Sequence, residues 1–205
     1  MSVTVCVFCA SSQAIPQHYI DLAVDIGRMI GERGWTLVTG GGSVSCMGAV
    51  ARAAREAGGR TIGVIPSALL EMEVADHDAD ELIVAEDMRT RKGEMDRRSD
   101  AFITLPGGIG TLEELLEVWT ARTLGMHDKP VVVVDPDDAY APLRAQADQL
   151  VERGFMRPTV LEALTWTTDA STAIAAVELA LQQLLPGVAA PTPEELLEGE
   201  PSTET

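Results

Sequence analysis

The chain has 205 residues, 46% of them hydrophobic, and sets 15 lysines and arginines against 32 aspartates and glutamates. That is room for one domain with a sizeable core. The formal net charge of −17 argues against a duplex nucleic-acid binder or a protein docked on an anionic membrane, because both need a basic face. A small phosphorylated ligand stays open, since it asks for only a few local positive groups.

In chain order, the short apolar run Val3–Phe8 reads as a strand. Tyr19–Glu32 places Ile20, Ala23, Val24, Ile26, Met29 and Ile30 at helical spacing. Trp35–Val38 predicts a second strand, broken by Gly40-Gly41-Gly42; Met47–Glu56 then predicts a helix and Thr61–Ile65 a strand. After a polar, acidic stretch come a strand at Leu82–Val84, a helix at Met88–Arg98 and a strand at Ala101–Leu105. A helix at Thr111–Leu124, a strand at Val131–Val134 and a helix at Ala139–Arg153 follow. Ala163–Thr165 reads as a last short strand before a helix at Ala170–Leu185.

Apolar strands separated by amphipathic helices predict a parallel sheet covered on both faces. The expected fold is a single Rossmann-like, doubly wound α/β domain over residues 1–185. Such a sheet takes its ligand outside the carboxyl ends of its strands. Pro186–Thr205 differs in composition: four prolines, five glutamates and no lysine or arginine, as in a flexible tail.

The three cysteines imply no disulfide framework. Cys6 and Cys9 form a C-x-x-C, but within a strand run rather than at a helix start, so they read as small buried thiols. His18, His77 and His127 lack metal-ligand spacing, and neither metal nor cofactor is expected. With no secretory leader and no apolar run of about 18 residues, the expected location is cytoplasmic.

Three strand-to-helix loops carry the chemistry: Phe8-Cys9-Ala10-Ser11-Ser12, Thr39-Gly40-Gly41-Gly42-Ser43, and Pro106-Gly107-Gly108-Ile109-Gly110-Thr111. Glycine lets the backbone approach a ligand closely, and a following helix start adds unpaired N–H groups and the positive end of its dipole. None fits the dinucleotide fingerprint or the P-loop, so an ordinary NAD enzyme or ATPase is disfavoured. The third loop also has a local explanation. Thr111 and Glu114 match a capping box, with Thr at the N-cap and Glu three residues on.

Five of the 15 basic residues fall within Met88–Arg98, directly after Glu71–Asp87, which has eight carboxylates and no lysine or arginine. A solvated charged helix explains this run. So does a positive group placed to meet a phosphate or polarise a leaving group near the third loop.

Taken together, Met88-x-x-Arg91-Lys92, Ser99-Asp100-Ala101-Phe102 and Pro106-Gly107-Gly108-Ile109-Gly110-Thr111-Leu112-Glu113-Glu114 resemble the Lonely guy family. Leu115 to Thr120, Leu124-Gly125-x-His127-Asp128-Lys129-Pro130 and the Gly40–Gly42 loop with Met47-Gly48 extend the match over Val3 to Leu185. The resemblance implies a Rossmann-like homodimer that hydrolyses the N-glycosidic bond of N6-modified adenosine 5′-monophosphates, and of AMP in many relatives. The products are the free base and ribose 5-phosphate. It implies Glu114 and Arg91 as catalytic residues, with the loop Gly107, Gly108, Ile109, Gly110 and Thr111 on the 5′-phosphate. Ser11, Gly40, Gly41 and Gly42 would line the ribose-phosphate side. Glu73, Met88, Lys92, Glu113 and Thr120 match substrate-contacting positions.

Two departures stand out: Ala10 where the family often has glycine, and Gly42-Ser43-Val44-Ser45-Cys46-Met47-Gly48 where Gly-Leu-Met-Gly is common. They bear on substrate preference more than on catalysis. The alternatives are a general purine 5′-nucleotide nucleosidase and a non-catalytic nucleotide-binding module. The older family label, lysine decarboxylase, would need a Schiff-base lysine. Only Lys92 and Lys129 exist, neither in a recognisable cofactor context.

Overall fold

A computed structural model describes residues 2–70 and 75–184. Glu73 and the acidic tail lie outside the described residues. Seven strands run β1 (Thr4–Phe8), β2 (Thr36–Thr39), β3 (Arg60–Pro66), β4 (Glu81–Ala85), β5 (Ala101–Thr104), β6 (Val131–Val134) and β7 (Thr165–Thr167). Six helices alternate with them: α1 (Gln17–Glu32), α2 (Ser45–Glu56), α3 (Met88–Arg98), α4 (Ile109–Thr123), α5 (Ala141–Glu152) and α6 (Ala170–Gln183). Short 3₁₀ turns at Ser67–Leu69 and Pro158–Ala163 complete the order. No helix among the described residues is long and apolar enough to cross a membrane.

The sheet is entirely parallel, in the order β4-β3-β2-β1-β5-β6-β7. This is the doubly wound architecture expected from the apolar strands. Each central strand feeds two cores because successive side chains alternate faces. On β1, Val5 and Val7 pack with Ala23, Ile26 and Ile30 of α1, while Cys6 and Phe8 pack with Phe102 and Leu115 on the other face. Phe8 and Phe102 stack with centroids 5.7 Å apart. Cys6, Cys9 and Cys46 are free and buried, and burial pushes all three thiols up in pKa, as inert core thiols require.

Three helix starts precede their predicted positions. Helix α1 begins at Gln17, α2 at Ser45, and α4 at Ile109 with Gly108 as its N-cap. Gly108 and Gly110 of the third loop thus form the cap and first turn of the helix rather than a lead-in. First-turn residues make no intrahelical N–H bond, so glycine costs less there than at mid-helix. The last strand also falls two residues later than read, at Thr165–Thr167.

Helices α1 and α2 pack unusually closely. Gly27 and Gly31, one turn apart on α1, are both buried, and a Cβ on either would run into the carbonyl oxygen of Val50 or Ala54. Gly→Ala inside a helix normally stabilises by up to about 1 kcal/mol. Here Gly27→Ala and Gly31→Ala are expected to destabilise by about 1–3 kcal/mol, the usual cost of overpacking. The readout is a lower urea midpoint at unchanged m-value; a raised midpoint would show that the helix spacing relaxes freely.

Candidate active site

The strand order reverses at β1, with β2 on one side and β5 on the other. A cleft of about 610 Å³ opens there, outside the carboxyl ends of the strands. The loop after β1 supplies Ser11 and Ser12, α3 supplies Met88 and Arg91, and the β5–α4 turn supplies Pro106 to Thr111, with Glu114 one turn further along α4.

Arg91 and Glu114 face each other although 23 residues separate them in sequence. Both are buried, at 6% and 8% relative exposure. The Arg91 Nη1 donates to Glu114 Oε1 at 2.7 Å, and its Nε donates to the Val64 carbonyl of β3 at 2.9 Å. Arginine stays protonated in proteins, so this is a fixed positive charge. Burial raises the Glu114 carboxyl above its ordinary pKa, and the Arg91 charge and hydrogen bond oppose that rise. The result is a desolvated carboxylate whose ionised form depends on Arg91.

The capping-box alternative does not form. Gly108, not Thr111, occupies the N-cap, no side chain caps α4, and the Glu114 carboxylate goes to Arg91 rather than to a backbone N–H. The first-turn N–H groups of α4 therefore have no side-chain cap. A Cβ on Gly107 would strike the buried Thr111 side chain, so protein packing explains that glycine. A Cβ on Gly108 or Gly110 would meet no heavy atom within 4 Å. Packing does not require glycine there, and both residues line the cleft. An anion reaching the helix start would need that open space.

Gly40, Gly41 and Gly42 do not line the cleft. A Cβ on Gly40 would collide with the Arg91 guanidinium. Gly41 holds φ +80 against Val64 and Ile65, and Gly42 bridges to Ala75. The second glycine loop therefore makes room for the arginine. Only Met47, just beyond it, reaches the cleft wall.

Lys92, Glu113 and Thr120 line a second hollow, an apolar groove of about 840 Å³ that also includes Leu112, Leu116 and Leu124. Lys92 pairs there with Glu113 and Glu117. Burial alone would lower its pKa, but the two carboxylates win and raise it. Ile109 and Glu114 belong to both hollows, so they form the wall between cleft and groove.

Sequence reasoning passes over Ile15, Tyr19, Leu69, Ala139 and Tyr140, all of which line the cleft. The last two follow β6, a strand end whose loop, Asp135-Pro136-Asp137-Asp138, has no glycine to draw attention. The rule of inspecting the loop after every strand would have found them. The buried Tyr140 hydroxyl donates to the Leu105 carbonyl at 2.7 Å, fixing the strand end just before the glycine turn. Tyr19 donates to Asp137 at 2.7 Å, a bond that holds its phenol pKa up at about 12.

The family model described as "possible lysine decarboxylase" matches residues 47–177. The cytokinin riboside 5′-monophosphate phosphoribohydrolase of Mycobacterium tuberculosis is 53% identical over 175 residues, covering 84% of this chain and 92% of that protein. A protein of the same name from Arabidopsis thaliana is 48% identical over 158 residues, 77% of this chain and 74% of its own. Among solved structures, the molybdenum cofactor binding protein of Rippkaea orientalis superposes with a TM-score of 0.68 at 25% identity, over 88% of this chain and 98% of that one.

The opposed effects on Glu114 give a test that needs no substrate. Its side-chain carboxyl carbon, followed by NMR, is expected to titrate above the ordinary value of 4.5, and higher still in Arg91→Met. A midpoint at or below 4.5, or one unmoved by that substitution, would contradict the assigned electrostatics.

Proposed function

The chain belongs to the Lonely guy family, matched by the model described as possible lysine decarboxylase, and on that footing we propose that it is a phosphoribohydrolase. Its substrates on this reading are cytokinin riboside 5′-monophosphates, adenosine 5′-monophosphates modified at N6, together with AMP. The observation that carries the reading is the buried Arg91–Glu114 pair beside an uncapped, glycine-lined helix start. A purely binding module has no need to desolvate a carboxylate at that position.

In the proposed reaction the C1′–N9 bond breaks and its electron pair leaves with the purine. Positive charge builds on the ribose, and a water oxygen bonds to C1′. One water proton ends on the base, giving free base and ribose 5-phosphate. The Glu114 carboxylate stabilises the oxocarbenium-like sugar and orients the water, as paired carboxylates do in glycoside hydrolysis. Arg91 keeps that carboxylate ionised and aimed. The first turn of α4 receives the 5′-phosphate, with Ser11 on the sugar side. The apolar groove beyond Glu114 suits an N6 substituent.

The decarboxylase description conflicts with the lysines. Lys92 pairs with Glu113 and Glu117, Lys129 pairs with Asp96, and neither lines the cleft. No lysine is placed there to carry a Schiff base.

We also propose a homodimer joined along α4. Leu116, Leu124 and Met126 are exposed on the wall of the groove, and Ile109 is 84% exposed. Trp119 takes no part, because it is buried and donates to the Val160 carbonyl at 2.8 Å. Light scattering is expected to give twice the 21.8 kDa chain mass, and a monomer would rule the dimer out.

Incubation with AMP and with isopentenyladenosine 5′-monophosphate, followed by chromatography, is expected to release free base and ribose 5-phosphate. The absence of both products would end the hydrolase reading. Glu114→Gln is expected to lower kcat by about 10²–10⁴-fold, the usual range for a lost catalytic carboxylate, while the protein still melts cooperatively, at a lower midpoint because the Arg91 charge loses its partner. An unaltered kcat would remove Glu114 from the mechanism.

A further inference from the structure

Ser45, the first residue of α2, holds φ +54, and among the described residues only Asp138 shares positive φ without being glycine. A side chain there is disfavoured sterically and persists only where its surroundings over-determine it. Two contacts do so. Gly48 presses so closely on Ser43 that a Cβ would strike the Ser43 carbonyl, and the Gly48 N–H donates to the Val44 carbonyl at 3.0 Å. These fix the tight entry into the helix. The Ser45 hydroxyl then leaves the turn and donates to the carbonyl of Ser12, 33 residues earlier.

Ser12 and its neighbour Ser11 are exposed, and both line the cleft. The Ser12 hydroxyl turns inward to accept from the Ala14 N–H at 3.3 Å, so it does not brace the loop against another element. The tie from Tyr19 to Asp137 lies seven residues further along. Ser45 is thus a side chain that anchors the Ser11–Ser12 segment to the body of the domain.

We propose that Ser45 is a positioning residue that sets affinity for the ribose 5-phosphate part of the ligand by fixing the Ser11–Ser12 loop. The inference rests on the nucleotide reading of the cleft. It is specific to the sugar-phosphate because the serine loop shares the cleft with Gly108–Thr111, whereas the apolar groove lies beyond Glu114. The departure from the family pattern at Ser45 thereby gains a physical role, in which a strained backbone is held in exchange for a fixed loop.

The test compares Ser45→Ala, which keeps a side chain at positive φ without the clasp, with Ser45→Gly, which removes both strain and clasp. Binding of ribose 5-phosphate and of AMP is read by calorimetry. Both variants are expected to bind each probe about three- to tenfold more weakly, the span of one net hydrogen bond. KM for AMP and for isopentenyladenosine 5′-monophosphate should rise by the same factor, with kcat within about twofold. Ser45→Gly should melt no lower than Ser45→Ala, separating loop fixation from stability. Unchanged affinity in either variant overturns the proposal, as does a fall in kcat at constant KM. Calorimetry needs no turnover, so a protein that hydrolyses neither nucleotide still tests Ser45. Failure of the unaltered protein to bind either probe overturns it as well.

Discussion

Two opposite charges held out of water at the end of a parallel sheet dominate this molecule. Burying an ion pair carries a desolvation cost that attraction offsets only when geometry and further hydrogen bonds are good. Arg91 meets those terms with a bond to Glu114 and a second to the Val64 carbonyl, and the space it fills exists because residue 40 has no side chain. Losing one partner would strand the other charge, which in buried pairs costs about 3–5 kcal/mol. The pair joins α3 to α4, so the electrostatics of the site also hold two helices together.

From that pair the rest of the site falls into a polar and an apolar half. On one side, the uncapped start of α4 and the serine loop offer N–H and hydroxyl groups. On the other, leucines of α4 and Met126 line a groove. Glu114 stands between them. A nucleotide has the same division, with phosphate and sugar at one end and a flat, weakly polar base at the other. In the proposed reaction the bond that breaks joins those ends, and Glu114 stands at the corresponding boundary of the two hollows.

The fold was legible because the strands are short and apolar throughout, which a parallel sheet demands, and all seven lie within two residues of the expected ends. The helix starts were less legible. Glycines that read as a loop turn out to be the cap and first turn of α4, where the penalty against glycine is weak. Within the candidate site, the third loop stood out by its local glycine pattern, whereas Arg91 and Glu114 were named only through the resemblance that their motifs carry. The role of Gly40 could not. It depends on a guanidinium arriving from α3, 51 residues later, a distance in sequence over which spacing carries no signal. Tyr140 was passed over because its loop lacks glycine, although it supports the strand end beneath the glycine turn.

The parallel sheet has another end, where each helix turns back into the next strand. Gly34, Gly58, Gly125 and Gly154, all at positive φ, make four of those returns, Ser99-Asp100 makes the one from α3 to β5, and none of these residues lines the cleft. The two ends therefore differ in how much sequence drift they accept. A residue inserted in a return turn lengthens a connection remote from the cleft. A residue inserted between Ile109 and Glu114 would rotate the carboxylate by about 100° around α4 and away from its arginine. Lineages of this protein should accordingly vary in length at one pole of the domain and remain fixed in length at the other.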